Sequence, residues 1–218
     1  MWNSPLSNPN TMGDDDGWET VPKKPIRKKA PQSTQDDNIL PWVSYIPPTK
    51  QNSQFEPFML LLCGIPGSGK STFARSLQQA MPYKFVRINQ DDLGNRQRCE
   101  EQTRLALINN MCPIIDRCNF DKEQRTKFIA IAAEFGVPVD CVVMGIDTLV
   151  TVDECIQRCQ QRRNHPTVKP AEAQGVVLVV AQQMQPPPAT QNQEGIRHVK
   201  YIENTNFFND TIVEYLNK

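Results

Sequence analysis

Eight consecutive residues, Gly64, Ile65, Pro66, Gly67, Ser68, Gly69, Lys70 and Ser71, fit G-x-x-x-x-G-K-[ST] at every fixed position. The chemistry this pattern serves is phosphate binding. Its glycines let the backbone curl so that successive N–H groups point at phosphate oxygens, and a Cβ there would obstruct the loop or the ligand. A helix that starts near Lys70 adds the positive end of its dipole. Lys70 is placed to reach the β- and γ-phosphates and the Ser71 hydroxyl to sit on Mg²⁺, with Thr72 continuing the nucleotide-binding run. The motif therefore implies ATP and Mg²⁺ as cofactors.

Further along, three groups of residues suit transfer of the γ-phosphate. Asp91 and Asp92 lie in N-Q-D-D-L-G. A carboxylate there can accept a hydroxyl proton and orient the nucleophile, while its neighbour caps the next helix; Asp91 is the expected base. Asp116 closes an apolar run, the place for a carboxylate in the Mg²⁺ shell or in the substrate site. Asn119, three residues on, can donate and accept hydrogen bonds across the same cleft. Arg125 either binds phosphate or pairs with Glu123 or another acid. Arg158 and Arg162 share a helical face, with Arg163 beside them, and two guanidiniums aimed at one cleft neutralise a transferring phosphoryl group.

The elements that must position these groups alternate. Strands are predicted over 59–63, 84–89, 112–116, 139–146 and 197–202, the first of them fully buried. Helices are predicted over 70–81, 96–109, 121–135, 152–163, 171–184 and 209–216. In the second of these helices, Cys99, Leu105, Ala106 and Ile108 are expected inward. Asp121 is expected to cap the third helix and Gly136 to end it. A polar hinge over 164–169, next to the arginines, suggests a closing lid. This alternation defines an α/β fold with a parallel five-stranded sheet between helical layers, three layers αβα, and ligands at the carboxyl ends of the strands.

Residues 1–54 read as a disordered tail, proline-rich and polar, with the acidic run Asp14-Asp15-Asp16 followed by a basic block over 23–29. Trp18, Trp42 and Tyr45 are unusual in it, and the stretch over 42–46 is expected either to fold back onto the domain or to dock on a protein partner. Lys+Arg and Asp+Glu balance at 24 each, so any nucleic-acid surface must be local. Seven cysteines without a secretory signal fit reduced thiols and a nuclear or cytoplasmic location. Cys155 and Cys159 with His165 make a weak metal pattern, and buried thiols are the expectation. No apolar run approaches membrane-spanning length, so no membrane partner is expected.

Taken together, these landmarks resemble the polynucleotide 5′-hydroxyl kinases. The matching residues are G-I-P-G-S-G-K-S, N-Q-D at 89–91, Asp116 and Asn119, Arg125, and Arg158 or Arg162. Where the family has D-x-T-N, this chain has Asp116-Arg117-Cys118-Asn119, and DRCNFDKEQR is similar to the kinase-like domain of plant aprataxin-like proteins. The resemblance implies a P-loop kinase-like domain over 55–218, Asp91 as general base and Arg162 as lid arginine. It also implies nucleic-acid 5′ ends as acceptors, held by Arg98 with Arg96 and Arg104, and a monomer. A small-molecule or nucleoside kinase and a nucleotide-binding adaptor are the alternatives. No N-K-x-D for guanine recognition is present.

Overall fold

The structure is a computed structural model that describes residues 55–145, 150–162, 168–189, 194–203 and 205–218. The expected tail, Arg163 and most of the expected hinge lie outside the described residues. Five strands, β1 (Met59–Gly64), β2 (Phe85–Asn89), β3 (Cys112–Asp116), β4 (Val139–Met144) and β5 (His198–Tyr201), form one sheet in the order β2-β3-β1-β4-β5. Every neighbouring pair is parallel. The helices are α1 (Lys70–Ala80), α2 (Gln90–Leu93), α3 (Arg96–Ile108), α4 (Lys122–Glu134), α5 (Val152–Gln160), α6 (Ala173–Gln183) and α7 (Thr205–Asn217).

The central strand explains the layering. All six residues of β1 are buried, because it has a strand on either side and helices over both faces. Met59, Leu61 and Cys63 point to one face, where Cys99 and Leu107 of α3 and Phe128 and Ile131 of α4 meet them. Leu60 and Leu62 point to the other, against Phe73 and Leu77 of α1 and Tyr215 of α7. Each such side chain contributes about 1.5–3 kcal/mol on burial, so the sequence run that forms β1 also fixes the three layers.

Local signals set most helix starts. Asp121 accepts a hydrogen bond from the Gln124 N–H at 2.7 Å, and Gly136 takes φ +64° just past α4. Thr151 and Glu154 form a reciprocal capping box on α5. Three expectations change. α3 buries Cys99, Thr103, Ala106 and Leu107, whereas Leu105 and Ile108 are exposed. Thr103 joins the buried stripe because its hydroxyl donates to the Cys99 carbonyl at 2.7 Å, which a reading of apolar residues alone overlooks. α5 ends at Gln160, so Arg162 follows the helix rather than lying in it. The short α2 was not foreseen; Asn89 caps it by accepting from the Asp92 N–H at 3.1 Å.

Candidate active site

The loop between β1 and α1 is held in its curl by contacts a side chain would break. Gly67 has φ +89°, and a Cβ there would lie 2.4 Å from the carbonyl oxygen of Cys155 in α5. Gly64 would meet the Met144 oxygen at 2.1 Å. Gly69, at φ +104°, caps α1 without a side-chain bond, so the first turn of the helix carries no internal cap. Buried Lys70 donates from Nζ to the Ile65 oxygen at 2.7 Å and to Ser68 Oγ at 3.4 Å. Its ammonium thus stands over the loop. Pro66 lines the cleft above it.

At the end of β3 a second set of contacts meets the first. Ser71 Oγ donates to Asp116 Oδ1 at 3.2 Å. Asp116 Oδ2 accepts from Arg87 Nε at 2.6 Å and from Asn89 Nδ2 at 3.0 Å. The sheet register makes this possible, since Asn89 of β2 stands opposite Asp116 of β3. Arg87 also pairs with Asp92 at 2.5 Å. Asp91 lines a cleft of about 280 Å³ together with Lys70, Ser71 and Asp116. Neither aspartate caps the following helix, as one of them was expected to; Asn95 does so, accepting from the Arg98 N–H at 2.9 Å. With capping supplied by asparagines, Asp91 is among the residues of the cleft wall and Asp92 is engaged by Arg87.

The β4 side closes the cleft with Arg162 and with Val168, Val176 and Val180. Arg158, on α5, is exposed and is not among the cleft residues. Cys155 and Cys159 are buried, and burial pushes the Cys155 thiol up to about 11. They behave as core thiols; His165 lies outside the described residues.

Several expected site residues stand elsewhere. Asn119 does not reach across the cleft: it is fully buried, and its Nδ2 donates to the Leu62 oxygen at 2.7 Å, tying the loop after β3 to β1. Arg125 does not offer itself to phosphate. Its Nε and Nη2 donate to Glu194 at 2.9 and 2.8 Å, and its Nη1 to the oxygens of Asn119 at 3.1 Å and Gln185 at 2.8 Å. Burial works against its charge, but the hydrogen bonds and charge of Glu194 hold its pKa above the ordinary value. The acid is Glu194, not Glu123. Arg98 is exposed, bonds the Leu93 oxygen at 3.3 Å, and is not among the cleft residues. Arg104 is taken by Glu134 through two bonds of 3.0 Å, and Arg96 by Glu100 at 3.1 Å. Thr72 is exposed on α1, outside the cleft wall.

Two residues that reading the sequence passed over belong to the site. Arg87 orients Asp116, and a charged residue in the middle of β2, between Val86 and Ile88, was its signal. Arg117 lines the cleft directly after Asp116.

Comparison with known proteins agrees with this fold. Residues 59–113 match the AAA domain family model. Over 125 residues the chain is 33% identical to transcription factor bHLH140 of Arabidopsis thaliana, covering 55% of this chain and 13% of that protein. Over 84 residues it is 37% identical to the bifunctional polynucleotide phosphatase/kinase of Schizosaccharomyces pombe, covering 38% of this chain and 20% of that protein. The chain thus matches a fifth or less of the length of these relatives. Among solved structures, a fungal RNA kinase superposes with a TM-score of 0.57 at 15% identity, over 74% of this chain and 43% of that one. The described residues therefore form a P-loop kinase fold with a nucleotide-binding loop. Within that class, the chain is similar in sequence to the polynucleotide kinases. No helix among the described residues is long and apolar enough to cross a membrane.

Proposed function

We propose that the chain transfers the γ-phosphoryl group of ATP to the 5′-hydroxyl end of DNA or RNA. The observation that carries this reading is that Asp91 lines the same cleft as Lys70, Ser71 and Asp116. A carboxylate facing a phosphate loop is what transfer to an alcohol needs beyond simple hydrolysis.

In this reading Lys70 turns from its loop carbonyl to the β- and γ-phosphates. Asp91 takes the proton of the attacking hydroxyl, and Arg162 offsets charge on the moving phosphoryl group. The hydroxyl of Ser71 and the carboxylate of Asp116 share one spot and are hard oxygen donors. They fit Mg²⁺, which needs only one or two protein ligands beside phosphate oxygens and supplies charge neutralisation there. Arg87 and Asn89 hold the Asp116 carboxylate in place. The similarity to a polynucleotide phosphatase/kinase supports a nucleic-acid acceptor.

Incubation with γ-labelled ATP and 5′-hydroxyl oligonucleotides tests the proposal. Label transfer is expected with the wild type and lost in Asp91→Ala, with ATP affinity retained. Lys70→Ala is expected to lose both. Measurable ATP binding without transfer to any DNA or RNA end would overturn it.

A further inference from the structure

The helix that carries Asp91 has little of its own to hold it. α2 is four residues long, a single turn, and none of the four is fully buried. One turn of helix is not stable by itself, because nucleation fixes several residues for one hydrogen bond. Leu93 packs its far end against the core, and Asn89 caps its near end by accepting from the Asp92 N–H at 3.1 Å. Neither contact reaches the side of α2 that faces the metal-side carboxylate, Asp116.

A chain of charges does. Successive residues of a strand face opposite ways, so Arg87 and Asn89 share one face of β2, and Asn89 stands opposite Asp116. From that face Arg87 Nε donates to Asp116 Oδ2 at 2.6 Å, and its Nη1 donates to Asp92 Oδ2 at 2.5 Å. The guanidinium is a planar, rigid fork, so two carboxylates on it are held at a fixed separation. Arg87 is itself fixed. Its side chain is 12% exposed, and its main-chain N–H donates to Gln78 Oε1 of α1 at 2.5 Å. Asp92, in contrast, is 59% exposed. Neither Arg87 nor Asp92 lines the cleft, whereas Asp91 and Asp116 both do. The pair therefore touches the site only through its neighbours.

We infer that Asp92–Arg87–Asp116 is a strut that fixes α2, and with it Asp91, relative to the Asp116 carboxylate. Arg87 and Asp92 are positioning residues for the proton acceptor, not for ATP. Asp92 is the informative member, since its loss frees α2 while leaving the bonds of Arg87 and Asn89 to Asp116 in place. The consequence for catalysis rests on the phosphoryl-transfer reading above, whereas the strut itself can be tested without turnover.

The test uses the full chain and two readouts. Amide hydrogen exchange at Gly94 reports the closure of α2, because that N–H donates to the Gln90 oxygen at 2.7 Å. Labelled-ATP transfer to a 5′-hydroxyl oligonucleotide gives kcat and KM. In Asp92→Ala the Gly94 amide is expected to exchange at least about threefold faster, the worth of an exposed ion pair. Its kcat is expected to fall about tenfold, as when a reacting group is misplaced, with KM for ATP within about twofold of wild type. Asp92→Asn keeps an oxygen for Arg87 and is expected to recover part of both. The melting temperature of Asp92→Ala is expected within about 4 °C of wild type, which separates displacement of α2 from loss of the fold. Arg87→Gln is expected to show the same faster exchange, and adding Asp92→Ala to it to change that exchange by less than about twofold, because the strut is already cut. Unchanged Gly94 exchange in Asp92→Ala, or faster exchange with kcat unchanged, overturns the inference. If exchange quickens as expected but the wild type transfers label to no end, the strut stands and the transferase reading falls. If the wild type transfers label and Asp92→Ala transfers it equally well, the strut falls and the transferase reading stands.

Discussion

Ser71 Oγ donates to Asp116 Oδ1 across 3.2 Å, which joins the last residue of the phosphate-binding motif, in the first turn of α1, to the last residue of β3. The other oxygen of the same carboxylate is held by Arg87 at 2.6 Å and Asn89 at 3.0 Å. One carboxylate thus has a free-standing task on its Oδ1 side and a structural task on its Oδ2 side. The two are separable by substitution.

Asp116→Asn keeps an oxygen for hydrogen bonding but removes the charge. We expect phosphoryl transfer to fall by at least about a hundredfold, as when a group that stabilises developing charge is lost. Asp116→Ala should in addition destabilise the fold by about 3–5 kcal/mol, because it leaves the largely buried Arg87 guanidinium without that partner. Urea unfolding beside the labelled-ATP assay separates the two effects. Equal stability of both variants would remove the structural task from Asp116.

The glycines of the loop differ in what they permit. A Cβ on Gly67 would press on the Cys155 carbonyl at 2.4 Å and its Cα at 2.9 Å, with backbone atoms that have nowhere to go. On Gly69 the nearest atom is the Phe208 ring at 4.0 Å, so only the φ of +104° opposes a side chain. Gly67→Ala should therefore cost about 2–4 kcal/mol, from strain and overpacking together, and weaken ATP binding. Gly69→Ala should cost about half as much. Denaturant midpoints of the two variants decide it, and the order Gly69 above Gly67 would contradict the contact geometry.

Much of this site was legible because its signals are local. The phosphate loop is one motif, the strands are short apolar runs, and Asp116 closes one of them. Asp121 and Gly136 announced the ends of α4. What was not legible depends on partners far away in sequence. Arg125 stands between a phosphate ligand and an ion pair in the sequence because its acid, Glu194, lies 69 residues further on. Asn119 looked like a cleft residue because its partner carbonyl, at Leu62, lies 57 residues before it. Arg117 gave no signal at all, since a cation after a strand is ordinarily solvated. Only the folded chain buries its Nη1, without a hydrogen-bond partner among the described residues.

The Arg125 clasp has its own consequence. Its four bonds join α4, the loop carrying Asn119, and the segment after α6. Arg125→Ala should unfold the protein more easily by about 3–5 kcal/mol, the cost of leaving Glu194 and two carbonyls unpartnered. Under conditions where the variant remains folded, its affinity for acceptor should stay within a few-fold of wild type. A selective loss of acceptor binding with unchanged stability would return Arg125 to the substrate site.

Asp140, fully buried at the opposite end of the sheet, gives the fold a dependence on acid. Arg197 donates to both of its oxygens at 2.9 and 3.0 Å, and Lys218 and His198 each approach to 3.1 Å. Burial alone would raise its pKa, but the bonds and charges of Arg197 and Lys218 outweigh this and lower it. A carboxylate with a depressed folded-state pKa stabilises the fold above its unfolded pKa of about 3.9, and that stability is lost as pH falls through the folded value. Melting temperature should accordingly drop steeply below about pH 4. The Asp140→Asn variant should start lower at neutral pH and fall less over the same range. Parallel melting curves against pH would place the acid sensitivity in other carboxylates.

Cys118 offers a chemical test of the cleft itself. Of the seven free cysteines, six are buried and Cys118 alone is partly exposed. Cys118 lines the cleft between Arg117 and Phe120. Burial pushes the Cys112 and Cys155 thiols up to about 11, where the thiolate fraction near neutral pH is on the order of a hundredth of that of an ordinary thiol. Iodoacetamide should therefore label one site quickly, at Cys118, while the other thiols react only as the protein unfolds. A bound ATP analogue should slow that labelling, and a 5′-hydroxyl oligonucleotide should slow it further if it enters the same cleft. Peptide mapping of the alkylated chain reads all three results. Labelling spread over several cysteines would contradict the burial of the core, and labelling indifferent to both ligands would take Cys118 out of the ligand-binding cleft.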